Sequence, residues 1–420
     1  ERRSTALPWV DATGDWDDGE LNVTRLHDPV QITAYRPGIG RLLPVYVHDH
    51  YEGFDAKTFL ECTDAELEEY VERNVAAVRE AAERVRPDVA LANHLVMGPA
   101  IVRRALEPLG IPYAVKIHGS ALEYVVKRDP ERFLPWAREG LEGAGGVLVG
   151  SKHTGESLWE AMDDPQLPER TRLGPPGVDI QAFGPRAPEQ AALGIERLAA
   201  TLRGTAPEDA PAGSAFERDL QAAAAALERL DPAQDRLVAF VGKLIVSKGV
   251  DLLAAAWPLV LAAVPDARLV VVGFGAYRDG FERLVAALAR GDLAAARELA
   301  AAGREVEGGP RAPLRFLQAF LDTVDDAYLE AARQLPERLV MVGRLEHSEL
   351  VDLLPACGAQ VVSSTFPEAF GMVAAEAAAC GVLPVSAAHS GLQEVSAQLA
   401  ETVPEPAVPW LSFPLGGDPV

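Results

Sequence analysis

Two glutamates, Glu368 and Glu376, lie eight positions apart in the segment PEAFGMVAAEAAAC. Two neighbouring carboxylates can serve as general acid and base, or they can accept hydrogen bonds from the hydroxyl groups of a ligand. Glu376 is flanked on both sides by alanine and valine, so we expect it on a buried helix, where a carboxylate needs a partner. Gly371, between the two glutamates, lets a ligand approach the main chain because it has no Cβ atom.

Lys243 and Lys248 follow another apolar run, and they are two of only six lysines in the chain. Such a pair suits a doubly negative group such as a pyrophosphate, since each contact contributes about 4 kcal/mol at about 4 Å in a partly screened site. The alternative is that the two lysines simply lie on the surface at the start of a helix and bind no ligand. The nearby Gly273-x-Gly275 is a weak dinucleotide signature, because position 278 holds arginine where a third glycine is expected.

His118 follows a third apolar run and directly precedes Gly119 and Ser120. At the carboxyl end of a strand its ring would face a ligand cleft, although a single histidine is more often structural. The run HDH at 48–50 lacks a spaced third ligand, so it is interpreted as a loop and no metal site is predicted. No nucleophile-elbow sequence supports Ser-His-Asp catalysis.

All of these residues follow predicted strands, so the strands must position them. Apolar runs alternate with helical patterns in both halves of the chain, which predicts an α/β protein with parallel sheets. Ser247 is predicted to cap the helix that follows Lys243. A helix is predicted at 64–86, and β-like runs or strands at 30–35, 44–48, 88–92, 112–117, 145–149, 237–241, 268–272, 339–342, 359–362 and 383–385. Ligands of open parallel sheets bind at the carboxyl ends of such strands.

The length of 420 residues favours two domains, which we place at 1–184 and 185–420, with helical insertions near 186–234 and 277–337. The formal net charge of -23 disfavours nucleic acid and anionic membranes as partners. The three cysteines have no ligand-like spacing, and the longest apolar stretch, 252–264, is too short to cross a bilayer. No signal peptide is recognisable at the start, so we predict a cytoplasmic protein.

Six motifs, in this order, resemble the nucleotide-sugar-dependent glycosyltransferases of family 4. They are HGS at 118–120, GVDIQAF at 177–183, GKLIVSKGVDLL at 242–253, VVVGFG at 270–275, VGRLEHSEL at 342–350 and PEAFGMVAAEAAACGVLPV at 367–385. The last motif contains the Glu-x7-Glu spacing of Glu368 and Glu376. The resemblance spans about residues 88–395 and implies the GT-B fold, in which two Rossmann-like domains with parallel sheets face an interdomain cleft.

The resemblance implies how a nucleotide would be held. Lys243 and Lys248 correspond to the family's basic pair on the donor diphosphate, although the first is more often arginine. Glu376 would bind the ribose hydroxyls. Arg344 and Leu345 lie where the family usually binds the base.

The resemblance also assigns the sugar side of the site. Glu368 would hold the donor sugar, and His118 would contact it near the reacting carbon, so His118, Lys248 and Glu368 are the predicted catalytic residues. The helix N-terminus after Glu368 would favour the negative charge of the phosphate. Five further residues of these motifs are assigned to substrate binding: Gly119, Ser120, Phe370, Gly371 and Met372.

The implied reaction is a retaining transfer of a hexosyl group from a nucleotide-diphosphate sugar to a hydroxyl of a sugar, lipid or small-molecule acceptor. Family members need no metal, and we predict no cofactor. The alanine-rich composition indicates a high-GC bacterial genome.

Two alternatives to this function stay open. One is a glucosyltransferase similar to starch or glycogen synthase, although no KTGGL-like motif occurs. The other is a non-catalytic sugar-nucleotide-binding protein, because the family's first strand, its Gly-rich loop and its C-terminal helix are not recognisable, as expected for a fragment.

Overall fold

The computed structural model describes residues 10–17, 20–48, 51, 53–205 and 218–416. The chain divides into two compact units, both discontinuous in sequence. Unit 1 comprises Glu1–Tyr46, Gly53–Val149 and Leu158–Arg172, and unit 2 comprises Val47–Glu52, Gly150–Ser157 and Leu173–Val420. A domain boundary between residues 184 and 185 stays a prediction. Among the described residues, no helix is long and apolar enough to span a bilayer.

Unit 1 is built on three small sheets, with strand orders β2-β1-β3, β4-β5 and β6-β7-β8-β9. The pairs β4-β5, β6-β7 and β7-β8 are parallel. The strands up to Leu173 are β1 (Ala12–Asp17), β2 (Glu20–Arg25), β3 (Thr33–Arg36), β4 (Leu42–Val45), β5 (Asp55–Thr58), β6 (Ala90–Asn93), β7 (Tyr113–Ile117), β8 (Gly146–Val149) and β9 (Thr171–Leu173). The helices are α1 (Asp64–Val85), α2 (Gly98–Leu106), α3 (Pro130–Glu142), α4 (Lys152–Met162) and α5 (Leu167–Arg170).

Helix α1 shows how local sequence sets these boundaries. Thr63 and Glu66 form a capping box, in which each side chain accepts the main-chain N–H of the other residue. The helix ends at Arg86, which adopts the left-handed conformation directly before Pro87. The prediction of a helix at 64–86 is therefore confirmed, and the predicted strands at 88–92, 112–117 and 145–149 correspond to β6, β7 and β8.

Unit 2 is built on one six-stranded parallel sheet. Its strands are β10 (Arg236–Val241), β11 (Ala267–Val272), β12 (Leu339–Gly343), β13 (Ala359–Val362), β14 (Leu383–Ala387) and β15 (Ser412–Phe413). Its helices are α6 (Pro188–Gly204), α7 (Leu220–Leu227), α8 (Val250–Ala263), α9 (Arg278–Ala289), α10 (Leu293–Ala302), α11 (Arg315–Leu321), α12 (Asp326–Ala332), α13 (Leu335–Arg338), α14 (His347–Leu353), α15 (Met372–Ala379) and α16 (Ser390–Ala400).

The strand order of unit 2, β12-β11-β10-β13-β14-β15, reverses direction between β10 and β13. From β10 the chain adds β11 and β12 on one side, and it then returns to add β13, β14 and β15 on the other. In open α/β sheets, the loops after the two strands at such a reversal separate and leave a crevice in which ligands bind. The loops after β10 and β13 carry Lys243, Lys248 and Glu368.

The loops at this edge are packed main chain against main chain at three glycines. A Cβ atom on Gly249 would lie 2.1 Å from the carbonyl oxygen of Ser363, and one on Gly273 would lie 2.0 Å from that of Gly242. A Cβ atom on Gly275 would lie 2.5 Å from the carbonyl oxygen of Leu244. The two glycines of the weak Gly273-x-Gly275 signature are therefore needed for the close packing of neighbouring loops.

Three features of the sequence-based prediction were wrong or incomplete. Strands β1 and β2 were not predicted. ATGDWD lacks a sustained alternation of apolar and polar residues, whereas ELNVTR does alternate from Glu20 to Thr24, and this signal was overlooked. The short edge strand β15 was also missed. Ser247 does not cap α8: it is buried in the 3-10 turn Val246–Lys248, and the N-cap residue of α8 is Gly249.

We predict that Gly273→Ala destabilises unit 2, because the new methyl group would overlap the Gly242 carbonyl and force the two loops apart. Overpacking of this kind costs about 1–3 kcal/mol. Chemical denaturation measures the effect, and Gly204→Ala is the matched control because nothing lies within 4 Å of its added Cβ. Equal stability of the two variants would contradict the proposed loop packing.

Candidate functional site

Two loops of unit 2 meet at the point where the strand order reverses. The hydroxyl of Ser363, after β13, donates to the carbonyl oxygens of Lys248 and Gly249 at 3.0 and 2.9 Å. The Thr365 N–H donates to the carbonyl of Ser247 at 2.9 Å. These bonds fix the turn that follows β10 against the loop that follows β13, and they bring Lys248 next to Glu368.

Glu368 is held by a cation and a hydroxyl group. The Lys248 ammonium and the Ser364 hydroxyl both donate to Glu368 Oε1, and the Lys248 and Glu368 side chains are 30% and 22% exposed. The Glu368 N–H donates to Ser390 Oγ at 2.9 Å. The Nε2 atom of His389 lies 2.7 Å from the carbonyl oxygen of Ser364. Glu368 is thus fixed in place while it remains partly open to solvent.

Glu376 is buried, as the alanine-rich helix predicts, and its partner is a histidine. His347 Nε2 lies 2.8 Å from Glu376 Oε1, and the Glu376 side chain is only 4% exposed. The His347 ring packs against Phe183, with 4.9 Å between ring centroids. His347 is the first residue of α14, which is capped by a reciprocal pair of bonds between Glu346 and Glu349. The motif around 342–350 therefore positions the imidazole that holds Glu376.

Two cations lie over one aromatic ring at the carboxyl ends of β10, β11 and β12. Lys243 Nζ lies 5.7 Å, and Arg344 Cζ 5.3 Å, from the centre of the Phe274 ring. Arg344 also donates to Glu346 Oε1 at 2.8 Å. The Leu345 side chain is buried in the core, so Leu345 can offer a ligand little besides its main chain.

The start of α15 lies between the two glutamates. Its N-cap residue, Gly371, has φ of 107°, and a Cβ atom there would lie 2.6 Å from Leu392 Cδ2. The first N–H groups of any helix have no partner within the helix and carry a partial positive charge. Phe370 is half-buried and Met372 is exposed, so the main chain at this helix start can be approached from solvent.

In unit 1, the predicted residue His118 is part of a group of polar side chains at the ends of β6 and β7. His118 Nε2 lies 2.8 Å from Asn93 Oδ1, and the His94 and His118 rings are 4.8 Å apart. Ser120 Oγ lies 3.4 Å from His94 Nδ1, while Gly119 is buried. The polar residues that follow β6 and those that follow β7 are therefore in contact with each other.

Both histidines of this group have a pKa below the ordinary value. Burial, with the neighbouring His118, lowers the pKa of His94 to about 4. Desolvation, with the nearby Lys116, lowers the pKa of His118. Both rings are therefore neutral near pH 7, and His118 can exchange hydrogen bonds with a sugar hydroxyl without carrying a charge.

The described residues contain no group of three or more His, Cys, Asp or Glu side chains that could hold a metal ion. Of the run at 48–50, Asp49 and His50 lie outside the described residues. The predicted independence from metals therefore stays a prediction.

Comparison with known proteins supports the fold. Residues 327–402 match the family described as Glycosyl transferases group 1, a segment that includes Arg344, Glu368 and Glu376. The catalytic domain of starch synthase IV from Arabidopsis thaliana, solved with ADP and acarbose, is 11% identical with a TM-score of 0.50, covering 97% of this chain and 77% of that one. At this identity the likeness concerns the fold alone. The predicted fold class, α/β with two Rossmann-like units of the GT-B kind, is confirmed.

Two further solved structures are similar at lower scores. Sucrose-phosphate synthase from Thermosynechococcus elongatus is 19% identical with a TM-score of 0.49, covering 87% of this chain and 72% of that one. Anabaena HepE, solved with UDP and glucose, is 18% identical with a TM-score of 0.47. The match covers 82% of this chain and 70% of that one. No curated protein sequence matched the chain.

Sequence reasoning missed His347, Ser390 and Phe274. The need of a buried Glu376 for a partner was recognised, but nothing in the sequence indicated which of eight histidines would supply it. The strand order does not identify it either, because β12, which precedes His347, is separated from β13 by β11 and β10, whereas His389 follows β14, the direct neighbour of β13. Ser390 and Phe274 act through contacts between loops that no local pattern encodes.

We predict that His347→Ala destabilises the protein by about 1–3 kcal/mol, the usual cost of leaving a buried polar group without its partner. In a Glu376→Ala background the same substitution should have little effect, because the carboxylate that needs the imidazole is gone. Chemical denaturation of the four proteins measures the coupling. An equal loss in both backgrounds would show that the contact contributes nothing.

We also predict that His94 makes stability depend on pH. Its pKa is lower in the folded chain, so its contribution is complete above pH 6.5 and is lost as the pH falls from 6.5 towards 4, by at most about 3 kcal/mol. His94→Phe should reduce the stability difference between pH 7 and pH 5 in urea denaturation. His27→Gln, at an exposed position, is the control, and an unchanged difference in His94→Phe would contradict the assignment.

Proposed function

We propose that this protein is a retaining glycosyltransferase that transfers a hexosyl group from a nucleotide-diphosphate sugar to an acceptor hydroxyl without a metal. The observation that carries the proposal is the set of side chains at the reversal of strand order between β10 and β13. There Lys248 and Ser364 hold Glu368, and His347 holds Glu376, on either side of a helix start. The match of residues 327–402 to Glycosyl transferases group 1 supports the same interpretation.

Glu376 is suited to bind the ribose of the donor. It is buried, so its hydrogen bonds are little weakened by competition from water. His347 occupies Oε1, and the ribose hydroxyls would donate to Oε2. A carboxylate accepts hydrogen bonds only, which matches a pair of neighbouring hydroxyl donors. His347 is then a positioning residue, because it acts on the nucleotide through Glu376.

The diphosphate would bind between the lysines and the start of α15. Lys248 reaches the site from the turn after β10, and Lys243 lies over Phe274 beside it. The main-chain N–H groups of residues 370–372 would add directed donors and the favourable end of the helix dipole. Cations and dipoles fixed in this way stabilise the charge that grows on a leaving diphosphate.

In the proposed reaction the bond between the anomeric carbon and the diphosphate oxygen breaks, and the acceptor hydroxyl forms a new bond on the same face. The departing diphosphate takes the proton of the attacking hydroxyl, so no protein nucleophile is required. Glu368 would bind hydroxyls of the donor sugar. His118, oriented by Asn93 and neutral near pH 7, would accept or donate a hydrogen bond close to the reacting carbon.

We predict that one of UDP, GDP and ADP raises the unfolding temperature. A ligand at about 100 times its dissociation constant adds about 2.7 kcal/mol. Glu376→Gln, which keeps a partner for His347, should abolish the shift, and Lys248→Met should weaken binding at least about tenfold, or about 1.4 kcal/mol. Glu401→Gln, at an exposed position, is the control and should leave the shift unchanged.

Transfer is tested by chromatography of the nucleoside diphosphate released when the matching donor sugar is incubated with candidate acceptors. The transferase proposal expects acceptor-dependent release that Glu376→Gln abolishes. Binding of the donor without release in the presence of any acceptor would favour a non-catalytic sugar-nucleotide-binding protein. No nucleotide response at all, with Glu376→Gln identical to the native chain, would overturn the donor site.

A further inference from the structure

A second cavity lies in unit 2, outside the residues assigned to the donor. Its volume is about 320 Å³, which is in the range of small-molecule sites. One wall is formed by the turn and helix start at 246–252, together with Thr365, and the other by the segment at 304–317. Its polar lining residues are Ser247, Asp251, Arg304, Arg315 and Thr365.

The wall at 304–317 has a defined structure. Gly303 and Ala312 form a parallel β-bridge, and the approach is so close that a Cβ atom on Gly303 would lie 1.9 Å from the Ala312 carbonyl oxygen. The Leu314 N–H donates to the Ala300 carbonyl at 2.8 Å. Glu307, from the same segment, accepts the Val246 N–H at 2.9 Å. The segment is therefore anchored both to α10 and to the turn that carries Lys248.

Positive charge dominates the lining. Within the described part of the chain, the ion pair of Arg304 is a long contact, 3.9 Å, with Glu307. The side chain of Arg315 is exposed and makes no ion pair or hydrogen bond with any residue that the structure describes. In a chain with 62 acidic and 39 basic residues, two arginines on one cavity with so little compensation are unusual. Such a site favours an anion, and arginine binds carboxylate and phosphate through two parallel hydrogen bonds.

Among the residues that the structure describes, Asp251 is the one acidic residue in the lining, and it has an unsatisfied atom. Asp251 is 3% exposed, and its Oδ1 has no hydrogen-bond partner among the described residues. Burial, with a contribution from Glu307, raises the pKa of Asp251 to about 7. The carboxyl group is therefore partly neutral at physiological pH and can exchange hydrogen bonds with a hydroxyl group. An unsatisfied buried polar atom is unfavourable, so a ligand that supplies its partner gains affinity.

We propose that this cavity is a second ligand site for a small organic anion that carries hydroxyl groups, such as a sugar phosphate or a hydroxy acid. Arg304 and Arg315 would bind the phosphate or carboxylate, and Ser247, Asp251 and Thr365 would bind the hydroxyls. Ser247 adjoins Lys248 and Thr365 adjoins Ser364 in the chain, so two of the three segments that line the cavity also carry residues assigned to the donor site. Binding at one site is therefore expected to affect the other.

Calorimetric titration of the full chain tests the site, with inorganic phosphate, citrate and glucose 6-phosphate as probes and glucose as the uncharged control. We expect citrate or glucose 6-phosphate to bind at least tenfold more tightly than glucose. Arg304→Gln/Arg315→Gln should reduce that affinity at least tenfold. Arg311→Gln, in the same segment but outside the lining, should leave it unchanged. Unchanged nucleotide response and circular dichroism show that the double variant is folded.

Two results would overturn the proposal. One is the absence of binding by every anionic probe. The other is binding that the double variant retains, since the anion would then lie elsewhere on the surface. Because these titrations contain no donor, they are independent of whether the chain transfers a sugar.

A further experiment distinguishes whether the bound anion is the acceptor of the proposed reaction or an effector of it. The probe that binds is incubated with the donor sugar, and the products are resolved by chromatography. An acceptor is consumed and a glycosylated product appears, whereas an effector is recovered unchanged while the rate of donor turnover or the donor affinity changes. In either case the change should be lost in Arg304→Gln/Arg315→Gln. A change that persists in that variant would contradict the assignment.

Discussion

The candidate donor site depends on one packing constraint, the contact between the turn at 246–249 and the start of the loop after β13. Gly249 has no side chain, so the Ser363 carbonyl oxygen can approach its Cα, and the Ser363 hydroxyl shares its hydrogen between the carbonyl oxygens of Lys248 and Gly249. The Thr365 N–H donates a further hydrogen bond across the contact. With the two main chains fixed in this way, Lys248 and Glu368 meet although they are 120 residues apart in sequence.

The same constraint explains how a strongly acidic chain can offer a site for a diphosphate. A partly buried carboxylate near a phosphate site would repel the ligand, but Glu368 is neutralised by Lys248 and oriented by Ser364. Lys243 and Arg344 contribute two further cations over the Phe274 ring. Glu376 is held by its own partner, His347, and in the proposed site it accepts hydrogen bonds from hydroxyls. The proposed site would thus bind charge and hydroxyls through different residues.

Much of this arrangement could be predicted from the sequence. Apolar runs and glycines locate β10 to β14, and the alanines around Glu376 predict its burial. The strand order could not be predicted, because register and neighbours depend on contacts between distant segments. Ser247 was interpreted as a helix cap because the 3-10 turn that contains it was not predicted. His347 had no visible role because its contact with Glu376 joins two segments that are 29 residues apart. Strand β1 has little hydrophobic pattern and is a strand through its pairing with β2 and β3, whereas the alternating pattern of β2 could have been recognised in the sequence.

The central claim, that the crevice between β10 and β13 binds a nucleoside diphosphate, is tested most directly by a crystal structure of the chain with the nucleotide that stabilises it most. The account predicts ribose hydroxyls within hydrogen-bond distance of the Glu376 carboxylate, His347 still on the other oxygen, and the diphosphate against Lys248 and the start of α15. A nucleotide bound elsewhere, or one whose ribose does not contact Glu376, would contradict it.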